Sequence, residues 1–436
     1  MTNDNQLKKV LGLGFGIAIL VGGTIGAGIL RTPGEIAALL DQEWLILSCW
    51  LLGGLYILMG AGAYAELATS IPKAGGSYNY IKRAFGNYAG FVSGWFDYIT
   101  NAIAPAFFCI VISEYIAMLL PSVQGQTTVI AVSFLLGFTI LHSTGVKSGS
   151  VVQQITSVIK VLCFVALIVA CFMTAGVEIP KVEPDPTAMK AGMLIGFFKS
   201  LQMVLGTYDG WYAVCFFAEE DENPSRNIPR SLYTGAVIVI SIYVVVNIAF
   251  FHVLPIRELA DSPLAAAEVA KVVFGEDGAA IVTLIAIFSI VGILNAYLMI
   301  PPRILYGLSR DGYFIEQGDR VNSGGTPIVA LLCSSLFTLV LIIVGSFEIL
   351  FALATFLAVI VWGLAYCSLV KLRISEPNLI RPYKAWGYPY TAILLVAFSL
   401  ALLVGFAYSD TQSFLVCVGI LVVSYPIFRI LKPRKS

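Results

Sequence analysis

Twelve long apolar runs occupy most of this chain of 436 residues and constrain its fold more than any other feature. A helix needs about 20 mostly apolar residues to cross a bilayer, and only 12% of the residues are Asp, Glu, Lys or Arg. The runs lack the two-residue alternation of membrane β-strands. We therefore predict an all-α polytopic membrane protein whose twelve transmembrane helices cover roughly residues 11–40, 44–70, 88–119, 126–143, 148–175, 192–217, 229–253, 278–309, 327–346, 349–371, 388–408 and 413–431.

The charges in the loops predict how these helices are oriented. If the N-terminus is cytoplasmic, 19 lysines and arginines fall in inside segments and 5 in outside segments, an asymmetry that agrees with the positive-inside rule. Both termini are then cytoplasmic, and the protein lies in the plasma (inner) membrane with lipid as its solvent. The formal net charge is zero, so overall charge predicts no nucleic-acid partner.

The cysteines and histidines do not form a pattern that would hold a metal. All eight cysteines fall in apolar runs without a C-x-x-C pair, and His142 and His252 lie far apart in the sequence. The sequence also lacks a recognisable pairing of nucleophile and base. We therefore expect no metal, no cofactor and no enzymatic activity.

Two of the twelve predicted helices are interrupted by glycine. The first contains V-G-G-T-I-G-A-G-I from Val21 to Ile29, and the sixth contains L-G-T-Y-D-G-W from Leu205 to Trp211. Paired interruptions at corresponding positions of two halves indicate a transporter with an inverted repeat. We predict one transporter domain over residues 1–436, with a leucine-transporter-like five-plus-five repeat. Repeat 1 covers about 10–175, repeat 2 covers about 190–373, and the additional helices 11 and 12 cover about 386–431.

The two interruptions are also the predicted binding site. Unwound backbone leaves free N–H groups that bind a carboxylate at a helix N-terminus and free carbonyls that accept from an ammonium group, so the pair suits a zwitterionic free amino acid. The alternative is that these glycines only allow close helix packing. The predicted substrate-binding residues are Thr24, Ile25, Gly26, Ala27, Gly28 and Ile29 in the first interruption and Gly206, Thr207, Tyr208, Asp209 and Gly210 in the second.

Lys160 is an intramembrane lysine, about 12 residues or roughly 18 Å from the start of helix 5, where a charge is costly and is usually functional. We expect its ammonium group to bond carbonyls of the unwound helix 1 and a hydroxyl such as that of Ser289 in helix 8. In that position the ammonium group would do the work of a bound sodium ion. Alternatively it carries a proton, or it is a static structural tie.

Other charged residues permit weaker inferences. Asp209 is expected to cap the second half of helix 6, or else to shape the pocket. No role is assigned to Asp97. Charged segments at 64–78, 219–230 and 303–312 predict either ion pairs that close a cytoplasmic gate or ordinary solvated loop ends.

These segments resemble one known family. The motifs are G-x-I-G-A-G-I in helix 1, Y-A-E-L-A-T-x-I-P-K-A-G-G-x-Y after helix 2, Y-D-G-W in helix 6, E-E-x-x-N-P-x-R-N-I-P-R after it, and R-x-L-Y-G-L-S-R-D-G at the end of helix 8. Together they resemble the amino acid–polyamine–organocation superfamily, in particular bacterial members similar to the L-type amino acid transporters.

The resemblance implies that the unwound backbone of helices 1 and 6 binds the α-carboxylate and α-amino groups and that Lys160 replaces the second sodium site. It also implies sodium-independent exchange or proton-coupled symport.

Two features depart from the family. Gly206 and Thr207 replace the usual Phe-Ala, which leaves substrate size open. The loop from Leu119 to Thr127 lacks the cysteine that joins animal relatives to a heavy chain, so we expect no such disulfide-linked partner.

The predicted function is alternating-access transport of neutral L-amino acids, sodium-independent and by exchange. Proton–amino acid symport is the first alternative. A receptor that binds amino acids without transporting them is the second. The sequence leaves open the preferred side chain, the stoichiometry, the direction of transport and the oligomeric state.

Overall fold

The computed structural model describes residues 6–176, 191–262, 264–344 and 347–431. These residues form sixteen α-helices and four short 3-10 helices, with two isolated β-bridges and no strand among them. In chain order the α-helices are α1 (Leu13–Thr24), α2 (Ala27–Leu39), α3 (Glu43–Ser70), α4 (Ser77–Phe85), α5 (Asn87–Leu119), α6 (Thr127–Ser143), α7 (Val146–Met173), α8 (Ala191–Tyr208), α9 (Pro224–Val253), α10 (Ile256–Ala260), α11 (Ala265–Phe274), α12 (Gly278–Arg310), α13 (Ile328–Val344), α14 (Phe347–Ser375), α15 (Tyr390–Ser409) and α16 (Thr411–Ile430).

The predicted all-α polytopic membrane fold is confirmed. Ten helical segments of the described chain are long and apolar enough to cross a membrane. The two other predicted spans correspond to the shorter helices α8, of 18 residues, and α13, of 17 residues. Both the first and the sixth predicted spans are interrupted, as the inverted-repeat interpretation requires. The repeat boundaries themselves stay a prediction.

Three short helices were not predicted. The nine-residue α4 follows α3, and α10 and α11 lie between α9 and α12. Helix α4 is amphipathic, because Tyr78, Tyr80 and Ile81 are buried while Arg83 lies at the surface. Helices this short fall below the length that a membrane-span criterion detects.

The long helices pack as two connected groups. In the first, α9 contacts α1 and α3, and α3 contacts α8, whereas α5, α6, α12 and α13 form the second. Helix α7 contacts α1, α9 and α12, so it bridges the two groups. The substrate site described below lies where the groups meet.

One end of the bundle carries most of the charged helix ends, and we call it the basic face. It is defined by Lys82, Arg83, Arg310, Arg373 and Arg429. The segment that precedes α1 is bonded to the segment that precedes α9: the backbone amides of Val10 and Leu11 donate to the carbonyl of Glu220 at 3.0 and 3.1 Å. The opposite face holds the far ends of α2, α5 and α15.

Candidate substrate site

The first interruption separates α1 from α2 by two residues. Ile25 and Gly26 have extended backbone, with φ/ψ of −75°/112° and −149°/−152°. No side chain caps the N-terminus of α2, so its first amide groups lack the intrahelical partners that later residues have. The positive end of a helix dipole therefore points into the interruption.

The second interruption follows α8, which ends at Tyr208. Gly210 has a positive φ of 94°, which a residue with a side chain rarely adopts. A Cβ atom at Gly210 would lie 2.8 Å from the carbonyl oxygen of Gly23. The two interruptions are therefore in direct contact, and glycine at position 210 permits that contact.

A cavity of about 590 Å³ begins at the two interruptions and leads away from the basic face. Its inner wall includes Thr24, Gly26, Gly28 and Asp209, and its far end is lined by residues of the opposite face such as Lys199. The Thr24 hydroxyl and one oxygen of Asp209, Oδ1, are buried without a hydrogen-bond partner among the described residues. Unpaired buried polar atoms are costly unless a ligand or water bonds them.

Most of the predicted substrate residues line this cavity, but not all do. The cavity wall contains Thr24, Gly26, Gly28, Gly206, Thr207 and Asp209. Ile25, Ile29, Tyr208 and Gly210 lie behind this wall, where Ile25, Ile29 and Tyr208 are fully buried. The side chain of Ala27 lies outside the part of the chain that the structure describes.

Asp209 does not cap a helix, so the capping interpretation is wrong. The 3-10 helix Ala213–Phe217 starts after Tyr212 without a side-chain cap. Instead, the Tyr297 hydroxyl of α12 donates to Asp209 Oδ2 at 3.0 Å. Asp209 lies in the cavity wall, as the second interpretation expects, and its role in the pocket stays a prediction.

Lys160 of α7 reaches the first interruption. Its Nζ donates to the carbonyls of Gly22 at 2.8 Å and Ile25 at 2.5 Å, and the Ser289 hydroxyl donates to the Ile25 carbonyl at 3.4 Å. Lys160 is 1% exposed. Ser289 therefore shares a carbonyl with Lys160, and the ammonium group holds the last turn of α1 where its carbonyls have lost their helical partners.

Tyr243 of α9 is a site residue that sequence analysis missed. Its hydroxyl lies 2.7 Å from the carbonyl oxygen of Thr24 and 3.1 Å from that of Thr207, so the two carbonyls share its single proton. Its ring packs between Trp50 and Tyr208, with centroids 5.4 and 5.0 Å away. One hydroxyl therefore links the two interruptions. Each bonded carbonyl keeps a second lone pair, which leaves it able to accept from a substrate ammonium group.

Ion pairs close the bundle on the basic side of the site. Arg303 binds Glu220 through two hydrogen bonds of 2.9 and 3.1 Å, with side chains that are 2% and 0% exposed. Burial raises the pKa of Glu220 above its ordinary value, although the charge of Arg303 opposes this. Glu66 similarly binds Arg373 at 2.5 Å. The ion pairs predicted for these segments are therefore confirmed for Glu66, Glu220 and Arg303, which are not solvated loop ends. That these pairs close a cytoplasmic gate stays a prediction.

Comparison with known proteins agrees with this architecture. The family model described as "Amino acid permease" matches residues 13–425. The chain is 28% identical to the "Serine/threonine exchanger SteT" of Bacillus subtilis (strain 168), over 100% of this chain and 99% of that protein. It is 29% identical to the mouse "b(0,+)-type amino acid transporter 1", over 91% and 82% of the two chains. It is 28% identical to the mouse "Large neutral amino acids transporter small subunit 2", over 90% and 76%. A family match that covers nearly the whole chain shows that this multi-pass membrane protein belongs to the amino acid permease family.

Proposed function

We propose that this protein is a sodium-independent exchanger of neutral L-amino acids that works by alternating access. The observation that carries the proposal is the cavity of about 590 Å³ whose inner wall consists of both helix interruptions. Opposite chemical groups meet there, namely free amides at the start of α2 and carbonyls at the end of α1. A zwitterion satisfies both.

The substrate is placed by its two charged groups. Its carboxylate accepts from the amides of residues 26–28, where the helix dipole favours an anion. Its ammonium group donates to the Thr24 or Thr207 carbonyl, or to Asp209 Oδ1. The Thr24 hydroxyl supplies one more polar contact. Because Ile293, Phe107 and Phe108 make much of the remaining inner wall apolar, small neutral side chains suit it best.

Two observations support sodium independence and exchange. Lys160 Nζ supplies a fixed positive charge at the carbonyls of Gly22 and Ile25, the kind of oxygen ligands that a sodium ion would otherwise use. In addition, the relative from Bacillus subtilis is named as an exchanger. An exchanger requires that the empty protein reorients slowly, and a brace between α7 and α1 provides a physical reason for this.

We place the protein in the inner membrane with both termini and the basic face in the cytoplasm. It works without a disulfide-linked heavy chain, since the 119–127 loop contains no cysteine. One mouse relative is named a small subunit, so purification of the chain alone in active form is part of the test.

Proton symport is the second candidate, because Lys160 contacts carbonyl oxygens and no carboxylate among the described residues. If Lys160 lost its proton, no carboxylate partner among the described residues would be left with an unpaired charge. A receptor that binds without transport is the third.

Uptake of labelled alanine into proteoliposomes separates these functions. Exchange predicts uptake only when amino acid is present inside, unchanged when potassium replaces sodium. Uptake into empty vesicles driven by an acidic exterior would establish symport instead. Binding without flux would establish a receptor.

In a competition panel of twenty amino acids and several polyamines, small neutral amino acids should compete best. Competition from polyamines alone would contradict the substrate assignment.

A further inference from the structure

A second cavity, unrelated to the substrate site, lies between α5 and α16. It has a volume of about 530 Å³ and is lined by Phe91, Val92, Trp95, Phe96, Ile99, Val416, Gly419, Ile420, Val423, Ser424 and Ile427. The α5 side chains Phe91, Val92 and Phe96 are buried and form its floor, whereas Val423 is 56% exposed and forms its rim. We call this cavity the α5–α16 groove. It opens to the surroundings of the bundle, which at this depth are lipid.

The length of the groove fits one leaflet. Val416 and Ile427 are separated by about 16 Å along α16 at the rise of an α-helix, and one leaflet has about 15 Å of hydrocarbon. On α5 the groove lies near the basic face, because its lining residues 91–99 follow the start of that helix at Asn87. On α16 the groove extends from Val416 to Ile427, which lies three residues before the helix ends at this face.

The end of the groove at the basic face has the features of a membrane interface. Tyr88 closes it, with its hydroxyl 3.1 Å from Ser424 Oγ and its ring 5.4 Å from that of Tyr425 and 5.2 Å from that of Phe428. Arg429 follows directly, is exposed, and has no ion pair among the described residues. Aromatic rings are typical of the headgroup level, and an unpaired arginine there attracts anionic lipid.

We propose that the α5–α16 groove binds one acyl chain of an anionic phospholipid whose phosphate lies at Arg429. Of the lining residues only Trp95 and Ser424 carry a polar side-chain atom, so a polar solute finds few partners inside the groove. The apolar length of one leaflet and the cationic Arg429 at its end match an amphiphile with a negative head. The proposal is independent of the transported substrate.

Two glycines provide a matched test. A Cβ at Gly419, in the groove, or at Gly137, on the exposed side of α6, would meet no atom within 4 Å, so both positions accept a large side chain. Gly419→Trp fills the groove, and Gly137→Trp is the control. Val423→Trp on the rim is a second blocking variant in case Gly419→Trp does not fold.

Native mass spectrometry of protein released from micelles measures the retained phospholipid. We expect wild type and Gly137→Trp to retain one phosphatidylglycerol molecule that Gly419→Trp and Val423→Trp lose. Arg429→Gln should keep a bound lipid but reduce the preference for phosphatidylglycerol over phosphatidylethanolamine by about fivefold. Equal retention in the blocked and control variants would overturn the proposal. So would a wild-type dimer that Gly419→Trp converts to a monomer, since the groove would then be an interface between copies.

Discussion

The Lys160 ammonium group is buried where α1 ends, so its loss should affect both folding and exchange. Lys160→Ala removes two charge-assisted bonds, to the carbonyls of Gly22 and Ile25, each contributing about 1.5–3 kcal/mol. The last turn of α1 then loses the bonds that hold it at the substrate site, so we expect the initial rate of alanine exchange in proteoliposomes to fall at least about tenfold. Because the brace on the empty protein is also lost, the uptake that remains should no longer require internal amino acid.

The control for this variant is Ser157→Ala. The Ser157 hydroxyl also ties α7 to α1, through the carbonyl of Ala18 at 2.8 Å, but this carbonyl is one helical turn further from the interruption than that of Gly22. Exchange in Ser157→Ala should stay close to wild type. If both variants lower exchange equally, Lys160 is only one of several static ties between these helices.

Tyr243 provides a second prediction at the residue scale. Tyr243→Phe removes the hydroxyl that bonds the carbonyls of Thr24 and Thr207 but keeps the ring packing, so the free energy of unfolding should fall by only about 1 kcal/mol. Because the two interruptions then lose their common donor, we expect alanine exchange to fall about five- to tenfold. Measurements of exchange rate and thermal stability on the same samples check both numbers.

The matched control is Tyr208→Phe. Tyr208 is equally buried, and its hydroxyl donates to the carbonyl of Trp50 at 3.2 Å, a bond that does not link the interruptions. A similar loss of stability with near-normal exchange is expected. Equal loss of exchange in both variants would show that the aromatic packing matters and that the link does not.

The two residues differ in how far sequence could reveal them. A lysine deep in an apolar run is conspicuous, because its charge has no solvent there. Tyr243 is one of 20 tyrosines in a chain rich in aromatic side chains, and no spacing distinguishes it. Its role depends on α9 packing against both interruptions, which only the folded arrangement determines.

At the scale of the helical elements, Gly210 permits the contact between the two interruptions. Gly210→Ala combines a positive φ with a Cβ 2.8 Å from the Gly23 carbonyl oxygen. Such strain costs about 1–3 kcal/mol, and the interruptions can relieve it only by separating. We expect lower thermal stability together with an exchange rate near background, measured in the same proteoliposomes.

Gly137→Ala is the control at this scale, because its Cβ meets nothing within 4 Å and alanine favours a helix over glycine. Unchanged or slightly higher stability and normal exchange are expected there. Full exchange in Gly210→Ala would mean that the interruptions do not need to touch during transport.

Glycine clusters predicted both interruptions because glycine weakens a helix at any depth. The contacts that join the two interruptions could not be predicted from the sequence. The carbonyl partners of Tyr243 and the hydrogen bond between Asp209 and Tyr297 depend on how helices distant in sequence pack. The capping role for Asp209 failed for this reason: a local rule for helix starts was applied where a partner from α12 determines the side chain's position.

Across the whole molecule, the substrate cavity and the ion pairs lie on opposite sides of the two interruptions. The cavity leads to the face opposite the basic one, while Glu220 and Arg303 are buried behind Trp211, Tyr212 and neighbouring rings. Alternating access requires that this closed side can open. The charges in the sequence predicted that ion pairs would lie here, but not which of the pairs would be buried.

Cys215 lies in the 3-10 helix on this closed side, with 0% exposure, so it reports opening of the basic face. In protein that keeps Cys215 and lacks the other seven of the eight cysteines, a membrane-impermeant maleimide applied at the basic face should label wild type slowly. Glu220→Gln leaves Arg303 buried without its partner, which costs about 3–5 kcal/mol, so labelling should accelerate at least about tenfold.

Glu219→Gln is the control, because its pair with Arg310 is exposed and contributes about 0–1 kcal/mol. Burial raises the pKa of Glu220, so a fall in pH favours its protonation and should weaken its pair with Arg303. Since acid also slows the reaction of any thiol with maleimide, the expected result is a smaller slowing by acid in wild type than in Glu220→Gln. Equal labelling of the two glutamine variants would mean that the Glu220–Arg303 pair does not hold this face closed.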